Sequence, residues 1–387
     1  MKKTFKVAAF SALVWAGTAL AAEPIKIGLV LPLSGAYAAY GKQIKNGVDL
    51  YLAQHGNTLG GRKVEVVVKD DGGLVSELAK RDAQELVIKD KVDILAGFAQ
   101  TPSALTVAPL ATEAKKPMIV MNAAASIITT KSPYIVRTSH SLSQVSAPIA
   151  LYADKLGIKK VYTLVADFGP GIDAETQFKK SFATNGGQVI GEVRVPLKSP
   201  DFSPFLQKIK DAKPDAVFLF LPPGELTVGF LKGFQERGLA KAGIKILATG
   251  DLTEEDTLDA LGDGALGIIN SHHYAESHKS PENKAYTEAY YKAYPKDRPN
   301  YMSVGGYDGM ALIDEVLKKT GGDADAEKFI AAAKGIKLNS PRGPITIDAK
   351  TRDIVQTIYI RKVEKVGKKL QNVEFDKMVD FRDPAKE

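Results

Sequence analysis

The sequence predicts an α/β protein built from two doubly wound, Rossmann-like lobes joined by a multi-strand hinge. Three observations carry this prediction. The chain has 387 residues, enough for two domains with separate cores. Short apolar runs alternate with longer amphipathic ones, as expected for parallel strands that are each followed by a covering helix. The alternation pauses at Ser132–Gln144 and then restarts, which makes two successive units rather than one long sheet.

In the first unit, Ile25–Leu31 reads as a buried strand. Gln43–His55 reads as a helix, because Ile44, Val48, Tyr51 and Leu52 recur at helical spacing. A strand at Val64–Lys69, a helix at Leu74–Asp90, a strand at Val92–Ala96, a helix at Ser103–Ala114 and a strand at Met118–Met121 follow. In the second unit, helices at Val145–Lys155, Ile172–Asn185, Phe202–Ala212 and Glu225–Arg237 alternate with strands at Lys160–Val165, Val189–Arg194 and Ala216–Leu221. Ile244–Ala248 and Ala265–Asn270 read as two further strands. Past His273 the pattern turns helical, at Pro281–Tyr294, Val304–Lys319 and Ala324–Lys334, before strands at Ile345–Ile347 and Gln356–Val363. These last elements cannot form a third core, so the two lobes must share them. A chain that crosses between lobes more than once makes a hinge, and a hinge makes a cleft. Ligands of open α/β sheets sit beyond the carboxyl ends of the strands, so two facing sheets would direct those loops into one cleft.

Composition is that of an ordinary globular protein: 44% apolar, 25% charged, net charge +7. The charges are mixed along the chain, which leaves no footprint for nucleic acid. The first residues have the form of an export signal: Lys2, Lys3 and Lys6, an apolar or small run from Val7 to Leu20, then Ala19-Leu20-Ala21 as a small-x-small cleavage site. The apolar run is too short to span a bilayer. Residues 1–22 are therefore expected to be removed and the mature chain to be exported. The only tryptophan, Trp15, would leave with them, so aromatic walls in the mature chain must be Tyr or Phe. There is no cysteine, which excludes disulfides, thiolate metal sites and a lipid anchor on cysteine.

The segment Ile27-Gly28-Leu29-Val30-Leu31-Pro32-Leu33-Ser34-Gly35, followed by Tyr40-Gly41 and an amphipathic helix, resembles the branched-chain (Leu/Ile/Val) amino acid type of periplasmic binding protein, the solute receptor of an ABC importer. Asp70-Asp71, Gly97 with Thr101-Pro102-Ser103, Asn122–Ser126, Tyr134–Thr138 and Tyr307-Asp308-Gly309 extend the likeness in order over more than 300 residues. The resemblance implies a type I periplasmic binding protein fold with three interlobe crossings, near His140–Ser143, Tyr274–Ser277 and Ser340–Pro344. Lobe 1 would be residues 23–140 plus 275–339, and lobe 2 residues 141–274 plus 340–387. It further implies a monomer that captures a small carboxylate by hinge closure and presents its closed form to a membrane permease, with no cofactor and no metal.

A carboxylate in a dry cleft needs several donors. Thr101 and Ser103 lie between a strand and a helix, where backbone N–H groups and hydroxyls gather. A plain helix cap would look the same; the resemblance implies that this loop grips the carboxylate. Ala123, Ala125 and Ser126 follow the next strand and suit either a tight turn or close main-chain contact with a ligand. By resemblance, Tyr40, Phe168 and Tyr307 are the apolar walls, and Asp251 is the nearest candidate to pair with an amino acid's ammonium. The chain departs from the amino acid binders at Pro222-Pro223-Gly224, where a Tyr is expected, and at His272-His273-Tyr274. Similar members of the family bind aromatic acids such as benzoate derivatives, which carry no ammonium and would accept Tyr and His272 as partners. Both ligand classes stay open at this point.

Other functions find less support. No Gly-x-Ser-x-Gly elbow accompanies Ser103 and His272, and no His-Glu-x-x-His accompanies the histidine pair. An enzyme is not expected. A ligand sensor of the same fold, feeding a signalling partner, remains the alternative to transport.

Overall fold

The computed structural model describes residues 23–198 and 201–387. The expected export signal at 1–22 lies outside the described residues. No described helix is long and apolar enough to cross a membrane.

The first sheet comprises β1 (Ile25–Leu31), β2 (Thr58–Leu59), β3 (Arg62–Asp70), β4 (Ile94–Gly97), β5 (Met118–Val120) and β6 (Ile135–Arg137). Its order is β2-β3-β1-β4-β5-β6, with every pair parallel except β2–β3. Helices α1 (Ala38–Gln54), α2 (Ser76–Ile88) and α3 (Thr101–Glu113) return the chain between strands. β1 and β4 are almost wholly buried, which explains why both read as continuous apolar runs rather than alternating ones.

The second unit contains α4 (Leu142–Tyr152), β7 (Lys160–Ala166), α5 (Gly169–Thr184), β8 (Gln188–Val195), α6 (Ser203–Ala212), β9 (Ala216–Phe220), α7 (Glu225–Glu236), β10 (Lys245–Thr249), α8 (Glu255–Leu261) and β11 (Ile269–His272). Three helices follow, α9 (Pro281–Ala293), α10 (Tyr301–Thr320) and α11 (Ala326–Ala333), then β12 (Lys337–Ser340), β13 (Gly343–Ile347), β14 (Ile354–Val366) and β15 (Lys369–Phe381). The second sheet runs β12-β13-β14-β11-β10-β9-β7-β8, with β15 beside β14. Its heart, β7 to β11, is parallel, whereas β14 pairs antiparallel with both β11 and β15. The long β14–β15 hairpin was not expected; it turns at Gly367, whose φ of 62° suits glycine.

Each sheet is covered on both faces. Ile27, Leu29, Ile44, Val48, Ile313 and Leu317 join one face of the first sheet to α1 and α10. Leu86, Leu95, Val107 and Met118 fill its other face. In the second lobe Leu164, Leu206, Leu219 and Phe230 form one layer, and Val145, Val165, Phe178 and Phe218 the other. Each such side chain contributes about 1.5–3 kcal/mol by leaving water.

The C-terminal strands link the two cores. Ile345, Ile347 and Ile354 pack in the first core, whereas Ile358 and Val363 pack in the second. The apolar side chains thus change from one core to the other along β14. Three buried arginines brace this region. Arg342 donates to the Ser139 and Thr138 carbonyls and pairs with Asp308 at 2.9 Å. Arg361 Nε donates to Asn270 at 2.7 Å, and Arg137 Nε to Asp353 at 2.6 Å. Breaking one partner of such a pair leaves a buried charge and costs about 3–5 kcal/mol.

Candidate functional site

A narrow cavity lies where the carboxyl ends of the two parallel sheets meet; the centre of a water molecule can occupy about 40 Å³ of it. Ala99, Gln100 and Thr101 follow β4, Asn122 and Ala124 follow β5, and His140 and Leu142 follow β6. From the second sheet, Phe168 and Pro170 follow β7, Phe220, Pro222 and Pro223 close β9, and Asp251 follows β10. Tyr40 of α1 and Tyr301 of α10 complete the walls.

Local backbone chemistry sets these loops. Gly97 ends β4 at φ 101°, and a Cβ there would sit 2.6 Å from the Val30 carbonyl oxygen. Phe98 then adopts φ 60°, a strained value for a bulky residue that full burial holds in place. The turn delivers Gln100 and Thr101 to the start of α3, which has no side-chain cap. α5 also opens without one, and its Phe168 and Pro170 line the cavity. Two helix N-termini, one from each lobe, therefore present first-turn backbone to the same space, an arrangement that favours an anion. Gln100 adds a buried Nε2, and Asn122 a buried Oδ1, with no hydrogen-bond partner among the described residues. An unmet buried donor costs about 1–3 kcal/mol unless something accepts from it.

The second-lobe wall is apolar apart from Asp251. Phe168 and Phe220 stack with centroids 6.1 Å apart. Asp251 accepts from the Thr249 hydroxyl at 2.8 Å and from the Tyr301 hydroxyl at 3.1 Å. Burial raises its pKa, partly offset by these two hydrogen bonds. The Tyr40 hydroxyl donates to the Pro223 carbonyl at 3.2 Å and so ties α1 to the second-lobe loop. These two residues also border a wider outer groove of about 550 Å³, lined by Gln43, Asp256 and Asn300. Across that groove Gln43 donates to Asp256, and Asn300 to Glu254. Burial raises the Asp256 carboxyl to about 6.

Of the residues singled out in the sequence, the structure brings Tyr40, Thr101, Phe168 and Asp251 together around the cavity. The others lie behind or away from it. Ser103 is fully buried and gives its hydroxyl to the Gly73 carbonyl at 3.3 Å. The Ala123 and Ala125 carbonyls accept from Arg137 Nη1 at 3.2 and 3.0 Å, so their loop is held from behind while Ala124 faces the cavity. The Ser126 hydroxyl meets the Ser143 hydroxyl at 2.9 Å, and its N–H donates to Asp173 at 2.9 Å. His272 is buried outside the lining, with Nε2 3.9 Å from Asp251. Tyr307 is not a wall: it packs on Tyr51 and Tyr286 and donates to Gln54 at 2.8 Å. Tyr301 takes that place, because α10 starts at Tyr301 and a residue six positions on lies about 9 Å further along the helix. The missed start did carry a signal, the Asn300/Ser303 capping box. His140 and Gln100 were also missed as lining residues; a histidine or glutamine in a loop has no periodicity to betray it.

Residues 24–368 match the family described as periplasmic binding protein. A Leu/Ile/Val-binding protein homolog 6 from Brucella melitensis is 46% identical over 364 residues, 94% of this chain and 93% of that protein. Among solved structures, a solute-binding protein of an ABC transporter from Rhodopseudomonas palustris BisB5, in complex with 3,4-dihydroxybenzoic acid, is 53% identical with a TM-score of 0.90. It covers 94% of this chain and 99% of its own. A second R. palustris solute-binding protein, in complex with 4-hydroxybenzoate, is 47% identical with a TM-score of 0.90 and the same coverage.

Proposed function

The chain belongs to the periplasmic binding protein family, in its branched-chain amino acid type, and on that premise we propose that it is the substrate-binding component of an ABC importer that captures a small aromatic carboxylate between two hinged lobes. The observation that carries this reading is the asymmetry of one cavity: an uncapped α3 N-terminus with the unpartnered Gln100 Nε2 on one side, and the Phe168–Phe220 pair on the other. A carboxylate satisfies the first side, and an aromatic ring fills the second. Pockets of this kind combine apolar walls with a few polar anchors.

Lobe 1 would be residues 23–140 with 275 to the start of β14, and lobe 2 residues 141–274 with the remainder. The guest docks on the first-lobe donors, and the lobes then close. Closure is favoured to the extent that the guest touches both walls. The permease reads the closed form, in the periplasm, after the export signal has been removed. Solved relatives near 50% identity that hold hydroxybenzoates support the aromatic acid.

An aliphatic amino acid is the second reading, favoured by the name of the Brucella relative. Against it, both Asp251 oxygens already accept hydrogen bonds and burial favours its neutral form, which makes it a weak partner for an ammonium. Titration calorimetry with benzoate, 4-hydroxybenzoate, leucine, isoleucine and valine decides between them. The proposal expects the benzoates to bind and the amino acids to bind at least about a hundredfold more weakly, the scale of rejection when a charged group meets no partner. Tight leucine binding with no benzoate binding would overturn it.

A further inference from the structure

Three histidines sit beside Asp251, and the reading above leaves them without a role. His140 follows β6 and lines the cavity; His272 and His273 close β11. All three are buried to within 1%. Their ring centroids lie 4.7, 4.8 and 4.5 Å from one another, and the Tyr301 ring lies tilted against His272 at 4.3 Å. Among the described residues, none of the six ring nitrogens has a hydrogen-bond partner. A neutral imidazole carries one N–H donor and one bare acceptor nitrogen, so this layer holds unmet donors and acceptors in a place where leaving them unmet is costly. Of the three rings, only His140 reaches the cavity wall, so it is the one a guest can satisfy directly.

The surrounding charge says what that guest group is. The ring nitrogens lie within 4.8 Å of one another, the grouping a transition ion would use. A cation is nevertheless disfavoured. The Arg137 and Arg342 guanidinium groups act on His140, and Arg342 and Arg361 on the other two rings. Burial and these charges hold the rings neutral, with the His140 pKa lowered to about 3. A carboxylate fits no better, because neutral rings offer it no countercharge and the Asp251 carboxyl already lies 3.9 Å from His272. What matches a neutral ring beside a hydrogen-bonded carboxyl is a neutral group that both donates and accepts, which is a hydroxyl. No hydrogen bond joins this set of residues to Gln100 and Thr101, so the cavity has two separate polar stations.

We infer that His140, backed by His272 and His273, reads a hydroxyl on the bound molecule, so that the cavity selects a hydroxylated aromatic carboxylate over the unsubstituted acid. This rests on the aromatic-carboxylate reading and adds the residue that discriminates within that class.

The test is calorimetry of benzoate, 4-fluorobenzoate, 3-hydroxybenzoate and 4-hydroxybenzoate on the native protein, His140→Leu and His140→Asn. The native protein is expected to bind the better hydroxybenzoate at least about tenfold tighter than benzoate or its fluoro analogue, since a site built for a hydroxyl leaves groups unpaired without one. His140→Leu should weaken the hydroxybenzoate by more than it weakens benzoate and so erase that preference, and His140→Asn should restore part of it, because an amide can again donate and accept. A leucine variant that keeps the full preference would overturn the assignment. Should that variant fail to fold, imidazole ¹⁵N spectra of the native protein decide the question: hydroxybenzoate, and not benzoate, must shift the His140 nitrogens, and no shift overturns the inference. If the native protein binds all four acids equally, only the hydroxyl assignment falls; if it binds none, the carboxylate reading falls with it.

Discussion

The two walls of the cavity are built on the same topology and do opposite things. Both consist of loops at the carboxyl ends of parallel strands. The first-lobe wall is polar, with Gln100, Thr101 and Asn122, and two of those side chains hold buried atoms without partners. The second-lobe wall is Phe168, Pro170, Phe220, Pro222 and Pro223, with Asp251 as its one acidic residue among the described residues. The difference teaches an order of events. Directional donors can hold a guest on an open lobe, because each bond forms one at a time. An apolar cover gains only when it closes and excludes water. On the proposed reading, the first lobe would grip and the second would seal.

Substitutions that exchange these roles should separate them. Gln100→Leu removes a donor to a charged group and is expected to raise the benzoate Kd by about 10–100-fold, the equivalent of about 1.5–3 kcal/mol; calorimetry measures it, and an unchanged Kd would show that the first wall does not grip. The next effect concerns the histidine layer, of which His140 reaches the cavity and His273 lies behind it. The native pKa of His273 lies well below its ordinary value of 6.5, so below pH 6.5 the unfolded chain binds a proton there that the native state refuses. That term of stability is present above pH 6.5 and is lost as the pH falls. Relative to the native protein, His273→Phe should therefore gain stability on acidification from 6.5 to 5, with a slope that steepens towards a limit of about 1.4 kcal/mol per pH unit, read from urea midpoints at each pH. Parallel pH curves for the two proteins would contradict it.

Phe168→Ala should weaken benzoate by about 1 kcal/mol through loss of one aromatic face, with little change in any binding signal that precedes closure. Stopped-flow traces would show the loss in the dissociation rate, not the association rate; the reverse would mean that the second wall grips first. The smallest effect belongs to Tyr307. Its hydroxyl points to Gln54, outside the cavity, and Tyr307→Phe is expected to change affinity by less than about twofold, as for a surface hydrogen bond. A tenfold loss would return Tyr307 to the site.

Most of the architecture was legible because it is written in periodicity. β1, β7 and β9 are buried runs of apolar residues, and α1 and α10 carry apolar stripes. What periodicity cannot show is where a chain changes partners. The side chains of β14 pass from one core to the other without a break in its pattern. β15 was missed because LQNVEFDKM mixes buried, half-buried and exposed positions without a clean alternation on a strand with one neighbour. The site was legible where a loop residue is tied to a strand end or a helix start, as with Thr101, Phe168 and Asp251. It was illegible where contact depends on the meeting of distant segments. His140 and His272 are 132 positions apart, and nothing in either sequence window announces the other.

The most direct test of a gripping wall and a sealing wall is a crystal structure of the protein with 4-hydroxybenzoate. The account predicts the carboxylate within hydrogen-bond reach of Gln100 and the α3 N-terminus, with the ring against Phe168 and Phe220. A carboxylate seated on the second lobe, or a guest bound outside this cavity, would contradict it.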